Sequence, residues 1–390
     1  MLAAGRWFGR RPPELALTGI LLLAAFLRLF GLQNGQYGSD DERLWAEALR
    51  SLAQHSVPVA GIRSSIGVGN GPFQVFVVMP AAALFGSAPI AGAAMVALLN
   101  VLGVYILHRL VAENYGRRPA LLAALLYATS SWAVIYSRRM QAQDMLAPFE
   151  VLFFWNAARW LRRGRGWDLV LMAVWLAILS QVYVLGLLQL VPAVAILVLG
   201  WRRLRPLPAV GAVAVFAAVC APYALTSLLP GVATFRSMLG GQPSVDVQSI
   251  VLGLTMATHK GFQTIAGQAG SVWDATSNFE GVLVLIEEAL FAAGVVYLAI
   301  RLARSSKLQA NRAIDGLLLL WALIPVALFA RHSVPLYPYY FVSILPLPAV
   351  FTALLLERVW HRGGAVGAGV LAANSLALAG IFFAVIGGPV

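Results

Sequence analysis

Three short runs of this sequence bring carboxylates, guanidinium groups and aromatic rings close together. They are Gly-Ser-Asp-Asp-Glu-Arg-Leu-Trp at 38–45, Tyr-Ser-Arg-Arg-Met-Gln-Ala-Gln-Asp at 136–144, and Arg-His-Ser-Val-Pro-Leu-Tyr-Pro-Tyr-Tyr at 331–340. Carboxylates can take protons and guanidinium groups can hold anions, yet each run also has a plain structural reading. Ser39 and Glu42 have capping-box spacing, and Asp40 and Asp41 complement a helix dipole. That reading leaves one residue unexplained. At about 100° per residue, Asp41 falls in phase with Trp45, Ala48 and Leu52, on the apolar face of an amphipathic helix. A carboxylate that faces protein or lipid needs a partner or a task.

In the second run, Arg138 and Arg139 could simply snorkel to headgroups while Asp144 caps the next helix. In the third, Tyr337, Tyr339 and Tyr340 fit an interfacial aromatic belt. Arg331 beside His332 is less usual at such a place. His259, Lys260, Trp273, Asp274 and Asn278 form a weaker group, which reads as structural. The five histidines show no pair at metal-ligand spacing on one helix, so a dedicated zinc site is not expected. No Walker loop, dinucleotide fingerprint or Gly-x-Ser-x-Gly elbow occurs.

The elements that position these runs follow from composition. Of 390 residues, 60% are hydrophobic and 11% charged, against about a quarter charged in a soluble domain. Such a chain must bury its apolar surface in lipid. The net charge of +12 therefore reads as a topology signal, and no nucleic-acid partner is expected. Cys220 is the single cysteine, which excludes an intramolecular disulfide framework.

Apolar runs predict an all-α polytopic membrane protein with about eleven transmembrane helices, near 14–32, 88–111, 119–136, 142–160, 168–183, 185–200, 207–229, 280–301, 314–330, 339–357 and 364–387. The run 73–85 is too short to span and is expected to re-enter or lie in the interface. With a cytoplasmic N-terminus, nineteen of the 28 positive residues fall in inner connections, at 6–11, 109–118, 159–165, 202–205, 301–312 and 358–362. Arg43, Arg50, Arg63, Arg138, Arg139, Arg236, Lys260 and Arg331 fall outside. Two outer segments, 33–87 and 230–279, are then long, the first with amphipathic interfacial helices. The whole of 1–390 reads as one membrane domain without a soluble C-terminal domain.

These features together resemble the GT-C class of membrane glycosyltransferases, in particular the protein O-mannosyltransferase and lipid A aminoarabinose transferase (ArnT-like) family. The signs are Leu27-Arg28-Leu29 with Leu32, Asp41-Glu42 opening the first outer loop, and Gly71-Pro72 before a short apolar run. Further signs are Ser137-Arg138 with Asp144, Trp273-Asp274 to Gly281, and Arg331 to Tyr340 leading toward Pro346.

The resemblance implies transfer of a sugar from a polyprenyl-phosphate donor to a hydroxyl acceptor on the outer face of the cell membrane. Such a transfer needs a carboxylate to take the acceptor proton and cationic support for the leaving phosphate. It maps the general base to Asp41, with Asp40 as a local rival, and gives Glu42 and Asp144 orienting roles. Arg138, Arg139, Arg331, His332 and Tyr340 would hold the donor's lipid phosphate. The His-Pro-Pro often present in relatives reads Asn70-Gly71-Pro72 here, which leaves the acceptor side open. No cofactor is fixed by these residues, although carboxylates alone could hold a divalent metal.

Two rival readings remain open. A transporter of lipid-linked sugars would need ionisable residues near mid-membrane, for which Glu150 beside Pro148 is the hint. A non-catalytic subunit of the same fold would not need an intact Asp41-Glu42 pair.

Overall fold

The structure is a computed structural model that describes residues 13–34, 38–64, 68–233, 244–260, 270–304, 310–360 and 363–386. Arg6, Arg10, Arg11, Arg236, Lys307 and Arg362 lie outside the described residues. The side chains of Trp273, Asp274 and Asn278 likewise lie outside what is described.

The chain is an all-α polytopic membrane protein. Its helices are α1 (Pro13–Leu29), α2 (Ser39–Ala53), α3 (Phe73–Phe85), α4 (Ile90–Tyr115), α5 (Arg117–Thr129), α6 (Ser131–Ile135), α7 (Leu146–Arg163), α8 (Gly166–Val182), α9 (Leu190–Leu199) and α10 (Pro206–Tyr223). After these come α11 (Gln248–Ala257), α12 (Gly270–Arg304), α13 (Ala310–Phe329), α14 (Pro346–Arg358) and α15 (Gly364–Ile386). One antiparallel ladder pairs β1 (Ser244–Val245) with β2 (Arg331–His332).

Five described helical stretches are long and apolar enough to cross a membrane: Glu14–Asn34, Ile90–Tyr115, Pro206–Ala233, Gly281–Arg304 and Arg312–Phe329. A sixth is added if the turn Pro338–Ile344 and α14, bent by 48°, form one span. The expected count of about eleven spans is not confirmed on this measure; one expected run is broken, and one expected boundary between runs is present. Ser130, at φ −55 and ψ 122, divides the run 119–136 into α5 and α6. Tyr183 is extended and leads into the 3-10 turn Val184–Gln189 between α8 and α9. The short run expected at 73–85 is α3, with Pro80 inside it. Its 13 residues reach only about 20 Å at about 1.5 Å each, short of the roughly 30 Å of hydrocarbon.

The core gathers around α4, which packs on α1, α5 and α7. Trp132, Trp160 and Trp321 are fully enclosed, and Trp321 stacks on Phe154 with centroids 4.1 Å apart. The 26 residues of α4 define two ends of the bundle. At its start, Gly92 abuts Trp45 and Met140. At its close, Glu113 meets Arg163 at 3.0 Å and Arg109 at 3.3 Å. Arg159–Asp168 at 3.2 Å and Arg301–Asp315 at 3.1 Å add to this second, arginine-rich end. At about 1.5 Å per residue the two ends lie roughly 30 Å apart.

Candidate active site

The helix α2 brings its acidic start to the Gly92 end of the bundle. Leu44, Trp45, Ala48 and Ser51 are buried with Asp41, and Leu52 is half-buried, as the helical periodicity predicts. The cap differs from expectation. Gly38 is the N-cap, and Asp41 rather than Glu42 occupies the third helical position, returning Oδ2 to the Gly38 N–H at 2.8 Å. The reason is phase: Asp41 already faces inward, whereas Glu42 is exposed.

The other oxygen of Asp41 makes a long-range contact. Oδ1 accepts the Met140 backbone N–H at 2.5 Å, ninety-nine residues away in sequence. Asp41 is fully enclosed. Burial pushes its carboxyl above the usual range, opposed by the Met140 and Gly38 amides and by the charge of Arg139. Asp40 points elsewhere: it is half-exposed and pairs with Arg43 at 3.6 Å.

The stretch between α6 and α7 supplies the next groups. Arg138 is buried, and its Nη1 donates to the carbonyls of Leu27, Arg28 and Phe30 at 3.1, 3.2 and 2.7 Å. It thus satisfies the carbonyls that the end of α1 leaves unpaired. Arg139 takes a different course, lying 5.1 Å from the Tyr136 ring centroid, with Nε 3.6 Å from Asp144 Oδ2. Asp144 is buried, and neither carboxylate oxygen meets a well-aligned hydrogen bond. Its carboxyl is pushed up to about 8 by burial, against the pull of Arg139 and with the charge of Asp41 adding to the rise. Asn100, on α4, fixes the segment by donating to the Asp144 carbonyl at 3.0 Å. Asp41, Arg139 and Asp144 therefore form one electrostatic cluster.

The third run divides. Its 3-10 turn Pro338–Ile344 packs on residues 142–145 and on α7, which brings Tyr339 and Tyr340 toward the cluster. Tyr340 is buried and stacks on Phe329 at 5.4 Å, and Tyr339 lies parallel to Tyr337 at 5.3 Å. Arg331 and His332 stand apart on β2, where Arg331 is exposed opposite Val245. His332 meets Asp246 at 3.3 Å. No described contact joins Arg331 to Asp41, Arg139 or Asp144.

The sequence reading missed three contributors: Gly92, Asn100 and the Met140 amide. A glycine and an asparagine within one apolar helix are a weak signal of close packing, and a backbone N–H carries none. The Asn70-Gly71-Pro72 segment seats against the break after α8, where Asn70 Oδ1 accepts the Val184 N–H at 3.0 Å. Gly71 is needed there, since a Cβ would lie 2.5 Å from Gln181 Cα. Glu150, the hint for a transporter, accepts from Gln189 Nε2 at 2.7 Å.

The chain is similar in fold to solved GT-C class membrane glycosyltransferases, ArnT among them. Residues 70–225 match the family model described as dolichyl-phosphate-mannose-protein mannosyltransferase. The structure of ArnT from Cupriavidus metallidurans bound to undecaprenyl phosphate is similar over 95% of this chain and 64% of that one, at 15% identity and a TM-score of 0.60. The apo form of the same protein matches at 16% identity and 0.61, over 92% and 63% of the two chains. The archaeal oligosaccharyltransferase AglB from Archaeoglobus fulgidus, in complex with an inhibitory peptide and a dolichol-phosphate, matches over 97% of this chain and 56% of that one, at 15% and 0.60. The chain thus spans about three-fifths of the length of these structures, and the likeness is one of fold. No curated protein sequence matches it.

Proposed function

We propose that the chain is a glycosyltransferase that moves a hexosyl or pentosyl unit from a polyprenyl-phosphate donor to a hydroxyl of a lipid, glycan or protein. In this reading the N-terminus is cytoplasmic, the Asp41 end of the bundle faces outward from the cell membrane, and residues 1–390 act as one membrane domain. The observation that carries the proposal is Asp41, a buried carboxylate held by two backbone amides beside Arg139 and Asp144.

Asp41 is the general base. About four acceptor positions exist on a carboxylate, so the two amides leave lone pairs for an acceptor hydroxyl, which reaches the enclosed Asp41 by displacing part of its surroundings. As that oxygen bonds to the anomeric carbon, its proton passes to Asp41, while the bond from the anomeric carbon to the phosphate oxygen breaks. The departing polyprenyl phosphate keeps that electron pair and is met by Arg139. Tyr340, and more distantly Arg331 and His332, complete the donor side, and Glu42 orients the acceptor. Arg138 acts from behind, through the backbone it holds. A divalent cation would find in Asp144 a carboxylate without aligned hydrogen bonds, next to Asp41. Among the described residues no three His, Cys, Asp or Glu side chains gather for a metal.

The test is transfer of labelled sugar from a panel of polyprenyl-phosphate donors by purified protein. Transfer by wild type, lost in Asp41→Asn while donor still binds, supports both the reaction and the base. Donor that neither binds nor reacts would defeat the proposal.

A further inference from the structure

The arginine-rich end of the bundle holds a cavity of about 490 Å³ that the proposed transfer does not use. It is lined in part by Tyr115, Tyr297, Arg301, Leu354, Glu357 and Arg358. Most charges around it are already matched. Arg301 meets Asp315 at 3.1 Å, and Asp315 also accepts from the Tyr115 hydroxyl at 2.6 Å. The Arg301 guanidinium lies 5.4 and 5.8 Å from the ring centroids of Tyr115 and Tyr297, so its position is fixed by two aromatic walls as well as by a carboxylate. Glu357 pairs with Arg118 at 4.0 Å. Arg358 is the lining cation that remains: it is exposed and meets no carboxylate among the described residues. The cavity thus carries an excess positive charge, and the start of α5 at its edge adds the positive end of a helix dipole.

We infer that this cavity binds a phosphate group, namely the headgroup of an anionic membrane lipid. Basic pockets between helices at one end of a membrane bundle take such headgroups. Two features favour a lipid over a free ion. Leu354 gives the cavity an apolar wall, and α12 continues outward from it with Val296 and Ile300 exposed on either side of Tyr297, a track along which an acyl chain can lie. The inference does not rest on the reading of Asp41, from which it is separated by the length of α4.

The experiment is native mass spectrometry of the full chain in neutral detergent, titrated with phosphatidylglycerol, with phosphatidylcholine, and with phosphatidylglycerol in the presence of inorganic phosphate. Three variants accompany it: Arg358→Gln; the charge-conserving pair Arg301→Gln with Asp315→Asn; and Arg202→Gln, an exposed arginine of the turn Trp201–Arg203 outside the cavity. Wild type should retain phosphatidylglycerol at least tenfold more tightly than phosphatidylcholine. Arg358→Gln should lose about tenfold, the double variant at least as much, and Arg202→Gln nothing. Displacement by millimolar phosphate would support phosphate recognition with a soluble source, and resistance to it would support the lipid. Equal binding of the two lipids, or equal losses in Arg358→Gln and Arg202→Gln, would overturn the inference. Because Arg358 is exposed, its variant keeps the fold, which an unchanged melting temperature checks.

Discussion

Arg138 donates to the backbone carbonyl of Arg28 at 3.2 Å, while the Arg28 side chain donates to the carbonyls of Ala128 and Tyr127 at 2.8 and 3.4 Å. Each arginine thereby closes the C-terminal end of a helix: Arg138 that of α1, Arg28 that of α5. The two helices and the segment carrying Arg139 and Asp144 are tied together by carbonyls that would otherwise lack partners. Arg138 is thus taken up by backbone carbonyls, whereas its neighbour Arg139 stands beside Asp144 and carries the donor-side role proposed above.

That division can be measured. Arg138→Gln should lower the melting temperature, since a hydrogen bond from a charged donor contributes about 1.5–3 kcal/mol, and should reduce kcat through displacement of the 136–144 segment. Arg139→Gln should leave the melting temperature nearly unchanged and raise KM for the polyprenyl-phosphate donor about tenfold, roughly 1.4 kcal/mol. Thermal unfolding together with steady-state kinetics on both variants separates the roles. Equal effects of the two on both readouts would remove the distinction.

The two adjacent aspartates should differ as sharply. Asp41→Asn should cut the transfer rate by about 10²–10⁴, the usual contribution of a positioned general base. Asp40→Asn breaks only a surface pair with Arg43 and should change stability by less than about 1 kcal/mol, leaving the rate within about twofold. The comparison is made on single-turnover rates at saturating donor.

How much of this was legible in the sequence depends on the distance over which each feature is encoded. The inward direction of Asp41 was readable, because Trp45 and Ala48 share its phase within one helix. The cap was misread by one position, since Ser39 and Glu42 satisfy the same spacing rule that Gly38 and Asp41 satisfy in fact. The duty of Arg138 was unreadable, because its acceptors are carbonyls about 110 residues away. The continuity of the apolar runs was also deceptive. Hydropathy does not report that Ser130 leaves the helical region, whereas the break at Tyr183 falls where the runs 168–183 and 185–200 divide, so the membrane class was legible while the count of spans was not.

Gly92 tests the support beneath Asp41. A Cβ there would lie 2.2 Å from Met140 Sδ and 2.9 Å from the Trp45 ring, so both neighbours of Asp41 must move. Gly92→Ala should destabilise the protein by about 1–3 kcal/mol and slow transfer, because the Met140 amide would no longer meet Asp41 Oδ1. Gly103→Ala is the milder comparison on the same helix: its Cβ would approach Pro148 to 3.3 Å, so Pro148 need give only by a few tenths of an ångström and the loss should be smaller than at Gly92. Melting curves and transfer rates of the two variants decide the matter, and equal behaviour would detach Gly92 from the site.

The pH dependence follows from the same carboxyls, taken with their signs. Asp41 must be ionised to accept a proton, and burial holds its carboxyl above the ordinary range, so kcat/KM should rise with pH on a limb displaced upward from the usual value near ~3.9. Asp144, pushed up to about 8, is protonated below that pH and leaves the charge of Arg139 to the donor phosphate. As pH rises through about 8, Asp144 becomes a carboxylate, competes for Arg139 and repels the incoming phosphate, so the rate should fall. The profile is then a bell, and because the two carboxyls act on each other, its limbs belong to the pair rather than to either residue. Asp144→Asn should keep the acid limb and remove the alkaline one, since the amide cannot ionise. A profile of the variant that still falls above about 8 would show that another group sets the alkaline limb and that Arg139 is not the phosphate's partner.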